Sequence, residues 1–408
     1  MKIPKRELEN LIDWLSQFGA DYNGGISRLL YSQSWLDAQG ALKDKFLALG
    51  IETDFDEVGN LLGKIKGSQL PEKAILTGSH IDTVISGGKY DGQLGVLGGY
   101  LAIKYLLETY GPPKKTIKLV SIAEEEGSRF STVFWGSKNL IGIADEESVI
   151  NIEDINQIRF VDAMHQCGFD FKEDNKSELE DVEAFVELHI EQGNTLEMEE
   201  KQIGIINGIV GQKRYSISLK GESNHAGTTS MKYRKDVMQV FAKIVTRTIE
   251  KAEKLDPMVV TFGKIVVRPN VVNVIPGEAL FTMDCRHVDV KILEEFTDEI
   301  ELDMKKIAKE MGVTIQLNCW MNELPVLMDK TIIDVIEKSC ENQEVAYKCM
   351  HSGAGHDAQI IGSKIPCGMI FVPSVKGISH AKEEYTSMDD LIKGVEILAE
   401  TLYRLAYE

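Results

Sequence analysis

The sequence predicts an α/β domain interrupted by a smaller α+β domain, and three observations predict it. Short apolar runs alternate with helical patterns up to about residue 212 and again after about residue 326. Between them the order becomes strand, helix, two strands, helix, strand, which is the ferredoxin-like split βαβ. At 408 residues the chain is too long for one simple core. The expected domains are therefore 1–212 plus 327–408, and an inserted 213–326.

Each element has its own warrant. "ELENLIDWLSQFG" carries Leu8, Leu11, Ile12 and Leu15 at helical spacing, and "SWLDAQGALKDKFLALG" is a second amphipathic helix ended by Gly50. "IETDFDE" and "LLGKIKG" read as two strands around a turn. "KAILTGSHIDT" is a short buried strand running into a loop. "GVLGGYLAIKYLLETYG" is a long, largely apolar helix stopped by Gly111, Pro112 and Pro113. "TIKLVSIA" is the next buried strand and delivers three consecutive glutamates, Glu124, Glu125 and Glu126; "AFVELHI" is another strand. In the insertion, "KRYSISLKG" alternates as a strand and "DVMQVFAKIVTRTIEKAEKL" is a helix. "MVVTFGKIVVRP" and "EALFTMDCRHV" are strands, "KILEEFTDEIELDMKKIAKEMG" is a helix and "VTIQLNCW" a closing strand. Then "TIIDVIEKSCENQ", "GMIFVPS" and "DDLIKGVEILAETLYRLAYE" return to the α/β pattern.

Hydrophobic content of 43% and charged content of 27% are those of an ordinary globular protein. The formal charge of −19 argues against nucleic acid or an anionic membrane as partner, and requires a locally positive site for any anionic substrate. No run approaches the ~18 apolar residues needed to cross a bilayer, and the first residues lack the apolar core of a signal peptide. Six cysteines without a CxxC read as reduced, mostly buried thiols, so the expected location is cytoplasmic.

His80, His189 and His380 each follow or end a predicted strand or its loop, and each has a carboxylate nearby in sequence: Asp82, Glu191 and Glu384. Asp91 lies in the glycine-rich "SGGKYDGQLGV". Open α/β sheets bind ligands at the carboxyl ends of their strands. His80, Asp91, Glu126 and His189 can therefore meet at one rim, with His380 from the returning segment. Mixed imidazole and carboxylate ligands suit Zn²⁺ or Mn²⁺, and one carboxylate can bridge two ions. Asp91, between glycines, is the natural bridge, and Asp82 is placed to orient His80. Glu125 and Glu126 alternate sides of an extended chain and cannot share a job. An adjacent carboxylate that is not a ligand would sit where a general base is needed. Taken singly, each feature has a bland reading: a hydrogen-bonded histidine, a solvated acidic turn, a tight loop. Their joint occurrence at separate strand ends favours the metal centre.

"GSHIDTVISGGKYDGQLGV", "EEEGSRF", "ELHIEQG", "GESNHAGTT", "NVIPG" with "DCRH", "SGAGHDAQ" and "GISHAKEE" together resemble the M20 metallohydrolases, in their carbamoylase and ureidohydrolase branch. "LSQFGADYNGGISRLLYSQSWLDAQ", "FWGSK" and "GIVGQKRY" narrow the likeness to the members that act on allantoate, over essentially the whole chain. The resemblance implies a mixed-sheet two-metal hydrolase domain with an inserted lid and dimerisation domain. It implies two Mn²⁺ or Zn²⁺ ions, one held by His80, Asp91 and His189, the other by Asp91, Glu126 and His380. Glu125 is the implied general base, Asp82 supports His80, and Glu384 supports His380. It implies that His225 reaches the other subunit of a homodimer to steady an oxyanion. Arg286 and Asn273 are implied to bind the substrate carboxylate, and Gln192, Gln212 and the Gly355 backbone the rest of the substrate. The implied reaction is hydrolysis of a ureido C–N bond of allantoate to ureidoglycine, ammonia and carbon dioxide, in purine and allantoin breakdown. The rivals are an N-carbamoyl-L-amino acid hydrolase, an M20 exopeptidase, and a catalytically dead binding protein.

Overall fold

Among the described residues, eight strands outside the insertion belong to one mixed sheet, seven along one path and Tyr347–Ser352 paired with Ile203–Ile209. The computed structural model describes residues 1–172 and 176–408. They divide into two units, Met1–Asn207 with Met328–Glu408, and Gly208–Leu327. In the first unit the strand order is Glu52–Phe55, Leu61–Ile65, Lys115–Ile122, Leu70–His80, Val182–Ile190, Cys367–Val372, Ile203–Ile209. The four in the middle run parallel. The outer ones are antiparallel. A strand with neighbours on both sides and cover on both faces must be apolar throughout rather than alternating. The last seven residues of Leu70–His80 are all buried, which matches "AILTGSH". The apolar helix Gln93–Tyr110 lies against this strand and the C-terminal helix Met388–Ala406. Because the four central strands are parallel, their carboxyl ends share one edge.

The second unit has strand order Ile265–Arg268, Glu278–His287, Gly211–Lys220, Thr314–Glu323, all antiparallel. This is the ferredoxin-like order, with helices Val237–Ala252 and Val290–Glu310 on one face. Ala279, Phe281, Met283 and Cys285 pack on those helices, in a core with Ile244, Phe296 and Ile300. Leu280, Thr282, Asp284 and Arg286 occupy the other, more open face.

Three local expectations are corrected. "MVVTFGKIVVRP" is not one strand but two, Val259–Thr261 and Ile265–Arg268. Thr261 pairs with Asp284 and Ile265 with Phe281, so four steps on this segment oppose three on its partner. The extra residue breaks the ladder as a bulge does, beside Gly263, which offers no side chain to pack. The strands Ile203–Ile209 and Tyr347–Ser352 had no sequence reading. The first runs into Gly211–Lys220 with only Val210 between, so no turn signal separates them. The thiols are not mostly buried: Cys285, Cys340 and Cys367 are, Cys319 and Cys349 are exposed, and none is paired. Among the described residues no helix is long and apolar enough to cross a membrane.

Gly78 has φ +143°, and a Cβ there would stand 2.0 Å from the carbonyl oxygen of Val120 on the neighbouring strand. Gly78→Ala is therefore expected to cost more than about 2 kcal/mol in urea unfolding, from backbone strain and overpacking together.

Candidate metal centre

His80 ends one parallel strand and His189 stands next to last on its neighbour. Both lie three residues beyond the paired Thr77 and Val186, so the register sets the two imidazoles side by side. Their rings are 5.9 Å apart. Asp91 comes in from the loop that follows Leu70–His80. Its Oδ1 lies 3.2 Å from His189 Nε2 and 3.8 Å from His80 Nε2. Its Oδ2 lies 3.4 Å from His380 Nε2, which is also 3.4 Å from Glu126 Oε2. Two triads result, His80–Asp91–His189 and Asp91–Glu126–His380, each with its donor atoms within 4.8 Å of one another. They share Asp91 through different oxygens.

The nitrogens are presented correctly for cations. His80 Nδ1 lies 3.1 Å from the Asp82 carbonyl oxygen and 3.3 Å from its Oδ1, and His189 Nδ1 lies 2.9 Å from the Ile190 carbonyl. With Nδ1–H donating to these acceptors, Nε2 of each ring carries the lone pair. The Gly92 N–H donates to His189 Nε2 at 3.2 Å, which requires that lone pair. Gly92 has φ +65°, and a Cβ there would stand 2.4 Å from His80 Nε2, so only glycine lets the Asp91 loop approach the ring.

The glutamate triplet divides its labour. Asp82 accepts N–H bonds from Glu125 and Glu126 at 3.1–3.2 Å, which fixes the turn. Glu124 turns inward, is buried, and accepts the Gly127 N–H through Oε1. Burial, and next the Asp82 charge, pushes the Glu124 carboxyl well above its ordinary range. Burial likewise raises Glu125 strongly; His80 opposes, while Glu126, Asp357 and Asp82 add to the rise. Glu126 is pushed to about 8 by burial and Asp91, against His380. Asp91 itself stays well below the usual range: burial opposes, but the His189 and His380 rings win by donating to it in their doubly protonated, charged form, which a cation would replace. So many carboxylates in one buried site hold protons unless cations replace them.

Several supporting residues differ from expectation. Glu384 supports Asp91 rather than His380: Oε1 accepts the N–H of Tyr90 at 2.9 Å and of Asp91 at 3.2 Å. Ser379, which sequence reasoning passed over, places its hydroxyl 2.8 Å from Asp91 Oδ2 and 2.9 Å from Glu384 Oε2. The only signal was its place directly before His380. Glu191 does not serve His189; it accepts the Thr195 and Leu196 N–H groups and caps the short helix Thr195–Met198. Gln192 donates to Asp91 Oδ2 at 2.7 Å and lies 3.3 Å from His380 Nε2. Its Oε1 is buried without a partner. Gly355 precedes His356, whose ring lies 4.6 Å from that of His189.

His225, Asn273, Gln212 and Arg286 belong to the second unit. His225 pairs with Val274 in a two-residue ladder, and the Ala226 N–H bonds the Asn273 carbonyl at 3.0 Å, which brings His225 and Asn273 together. His225 Nδ1 accepts two backbone N–H groups, from Gly227 and Thr228, at 3.0 and 3.2 Å. The proton of the neutral ring is therefore on Nε2. The Arg286 fork is closed on Asp284, at 3.1 and 3.2 Å, where the sequence reading had it anchor a substrate carboxylate. Gln212 and Arg214 bind the same Asp284 at 2.7 and 2.9 Å. Gln212, Arg214 and Arg286 thus meet on one carboxylate across two neighbouring strands.

Residues 76–404 match the model of peptidase family M20/M25/M40. The chain belongs to the M20 family. Among relatives, this M20 chain is 50% identical over 405 residues to the allantoate amidohydrolase of Escherichia coli (strain K12), covering 99% of this chain and 98% of that protein. It is 46% identical over 407 residues to the allantoate amidohydrolase of Bacillus subtilis (strain 168), again covering 99% and 98%. Among solved structures, it is similar to an amidase of the hydantoinase/carbamoylase family from Burkholderia multivorans. That likeness has a TM-score of 0.94 at 29% identity, covering 100% of this chain and 99% of that one.

Since Glu126 stands at about 8, it is mostly protonated at neutral pH, and a divalent cation must displace its proton. Adding Mn²⁺ to metal-free M20 protein in weak buffer near pH 7 is expected to acidify the solution, and the affinity is expected to fall as pH falls. Binding that releases no protons, followed with a pH indicator, would contradict this account of the centre.

Proposed function

We propose that this M20 hydrolase cleaves a ureido C–N bond of allantoate, yielding ureidoglycine, ammonia and carbon dioxide. The single observation that carries the reading is a full-length likeness to allantoate amidohydrolases around an intact pair of imidazole–carboxylate triads. In this reading His80, Asp91 and His189 hold one divalent cation, and Asp91, Glu126 and His380 a second, Mn²⁺ or Zn²⁺. When bound, the pair supplies a Lewis acid for the ureido carbonyl and makes water a better nucleophile.

The chain's own residues do the rest. Glu125, beside Glu126 but not in either triad, takes a proton from the attacking water and returns it to the leaving nitrogen. His225, with its proton on Nε2, donates to the oxyanion as the carbonyl carbon becomes tetrahedral. Arg286, oriented by Asp284 on the more open face of its sheet, anchors the substrate carboxylate, which its planar fork suits. Asn273 shares the anchoring, and Gln192, Gln212 and the Gly355 backbone take the remaining polar groups. The inserted unit acts as the lid and dimerisation domain, and His225 serves the site of a second copy. A cytoplasmic location belongs to the same reading and is supported by six unpaired cysteines.

The ligand set is equally fit for an N-carbamoyl-L-amino acid, so substrate choice needs its own test. After reconstitution with Mn²⁺ or Zn²⁺, ammonia release is expected from allantoate at far greater kcat/KM than from any N-carbamoyl amino acid, and the opposite order would refute the assignment. Glu125→Gln is expected to lower kcat by about 10²–10⁴ while elemental analysis finds the same metal content as in the unaltered protein.

A further inference from the structure

Arg28 is fully buried, and its guanidinium touches no carboxylate. Its four hydrogen bonds go to neutral oxygens: Nε to the Phe18 carbonyl at 3.0 Å, Nη2 to the Leu15 carbonyl at 2.6 Å, and Nη1 to the Ile81 carbonyl at 2.9 Å and to Gln93 Oε1 at 3.1 Å. Among the described residues no acid pairs with it. A buried charge held only by neutral groups is costly unless something else requires it. The nearby carboxylate whose charge acts on it is Asp82.

The segments Arg28 touches explain the requirement. Ile81 follows His80, and Gln93 stands two residues after Asp91 at the start of the helix Gln93–Tyr110. The Arg28 backbone adds a reciprocal pair with Thr83: its N–H donates to Thr83 Oγ1 at 2.9 Å, and the Thr83 N–H donates to the Arg28 carbonyl at 3.1 Å. Residues 81 and 83 are thus gripped from one side, while His80 and Asp82 bond each other on the other side and Asp82 holds the Glu125–Glu126 turn. One side chain ties together the two ends of the loop that begins after His80 and carries Asp91.

We infer that Arg28 is a positioning residue for the metal centre. It sets the spacing of His80 and Asp91, and its buried positive charge offsets part of that of Asp82, which holds the Glu125–Glu126 turn. This rests on the two-cation reading above. It differs from a purely structural role because its loss must weaken cation binding selectively, at the triad that contains His80.

The test uses the full chain with Mn²⁺ as the probe, well below every variant's melting temperature. Isothermal titration calorimetry and electron paramagnetic resonance of the bound Mn²⁺ are compared for the unaltered protein, Arg28→Met, Arg28→Lys and Leu8→Ala. Leu8 is buried in the N-terminal helix beside Glu7, which pairs with Lys104, about three turns beyond Gln93 on its helix, and it serves as the control for lost stability alone. Arg28→Met is expected to weaken one of two Mn²⁺ steps by about 10–100-fold. Arg28→Lys, which keeps the charge but cannot span four acceptors, falls between, and Leu8→Ala binds as the unaltered protein does. If Arg28→Met does not fold, Gln93→Met replaces it, removing one link in the same chain of contacts, with a loss in the same direction expected. Unaltered protein that binds two Mn²⁺ beside Arg28 variants that bind them equally well overturns the inference alone; so does a loss matched by Leu8→Ala. Unaltered protein that binds no Mn²⁺ overturns the two-cation reading, and the inference with it.

Discussion

The rest of the first unit is arranged around one carboxylate used twice. Asp91 sends Oδ1 toward His80 and His189, and Oδ2 toward His380. That geometry asks much of the backbone. The loop must reach the ends of two adjacent strands, which Gly92 permits by having no Cβ against the His80 ring. It must also be held still. Glu384 does this through the Tyr90 and Asp91 N–H groups, and Ser379 and Gln192 do it at Oδ2. The parallel register that aligns Thr77 with Val186 supplies the opposing wall of imidazoles.

The same constraint accounts for the acidic triplet. A run of glutamates at a strand end is unfavourable by mutual repulsion, and burial makes it worse: Glu124, Glu125 and Glu126 are all pushed toward the protonated form. Asp82 turns the run into a fixed shape by accepting two of its N–H groups. Glu124 becomes a buried cap on the turn, Glu126 a member of the Asp91–Glu126–His380 triad, and Glu125 the acid left outside both triads. In the second unit Gln212, Arg214 and Arg286 converge on Asp284 across two strands, so one carboxylate sets the positions of three polar side chains.

The triads were legible because each ligand closes or follows an apolar run, and strands that alternate with helices bring such ends to one edge. Supports that act through backbone were not legible. Glu384 was assigned to the nearest histidine in sequence, but its bonds go to residues about 290 positions earlier. Glu191, two residues after His189, is a helix cap, a job that any acid before a short helix can do. Arg28 stands in a stretch that carries the family likeness, but nothing in the letters gives it a role of its own; its full burial does.

What the sequence determined alone was the class of fold and the set of residues that gather into the two triads. Hydrophobic periodicity is local, and so are the glycine and carboxylate patterns that flank each strand. Tertiary structure decided which oxygen of Asp91 faces which triad, which acid steadies which loop, and that Arg286 shares Asp284 with Arg214. Those outcomes depend on distances of 2.6–3.8 Å between groups tens to hundreds of residues apart. They are set by strand register and by the close approach that packing permits, neither of which leaves a trace in neighbouring letters.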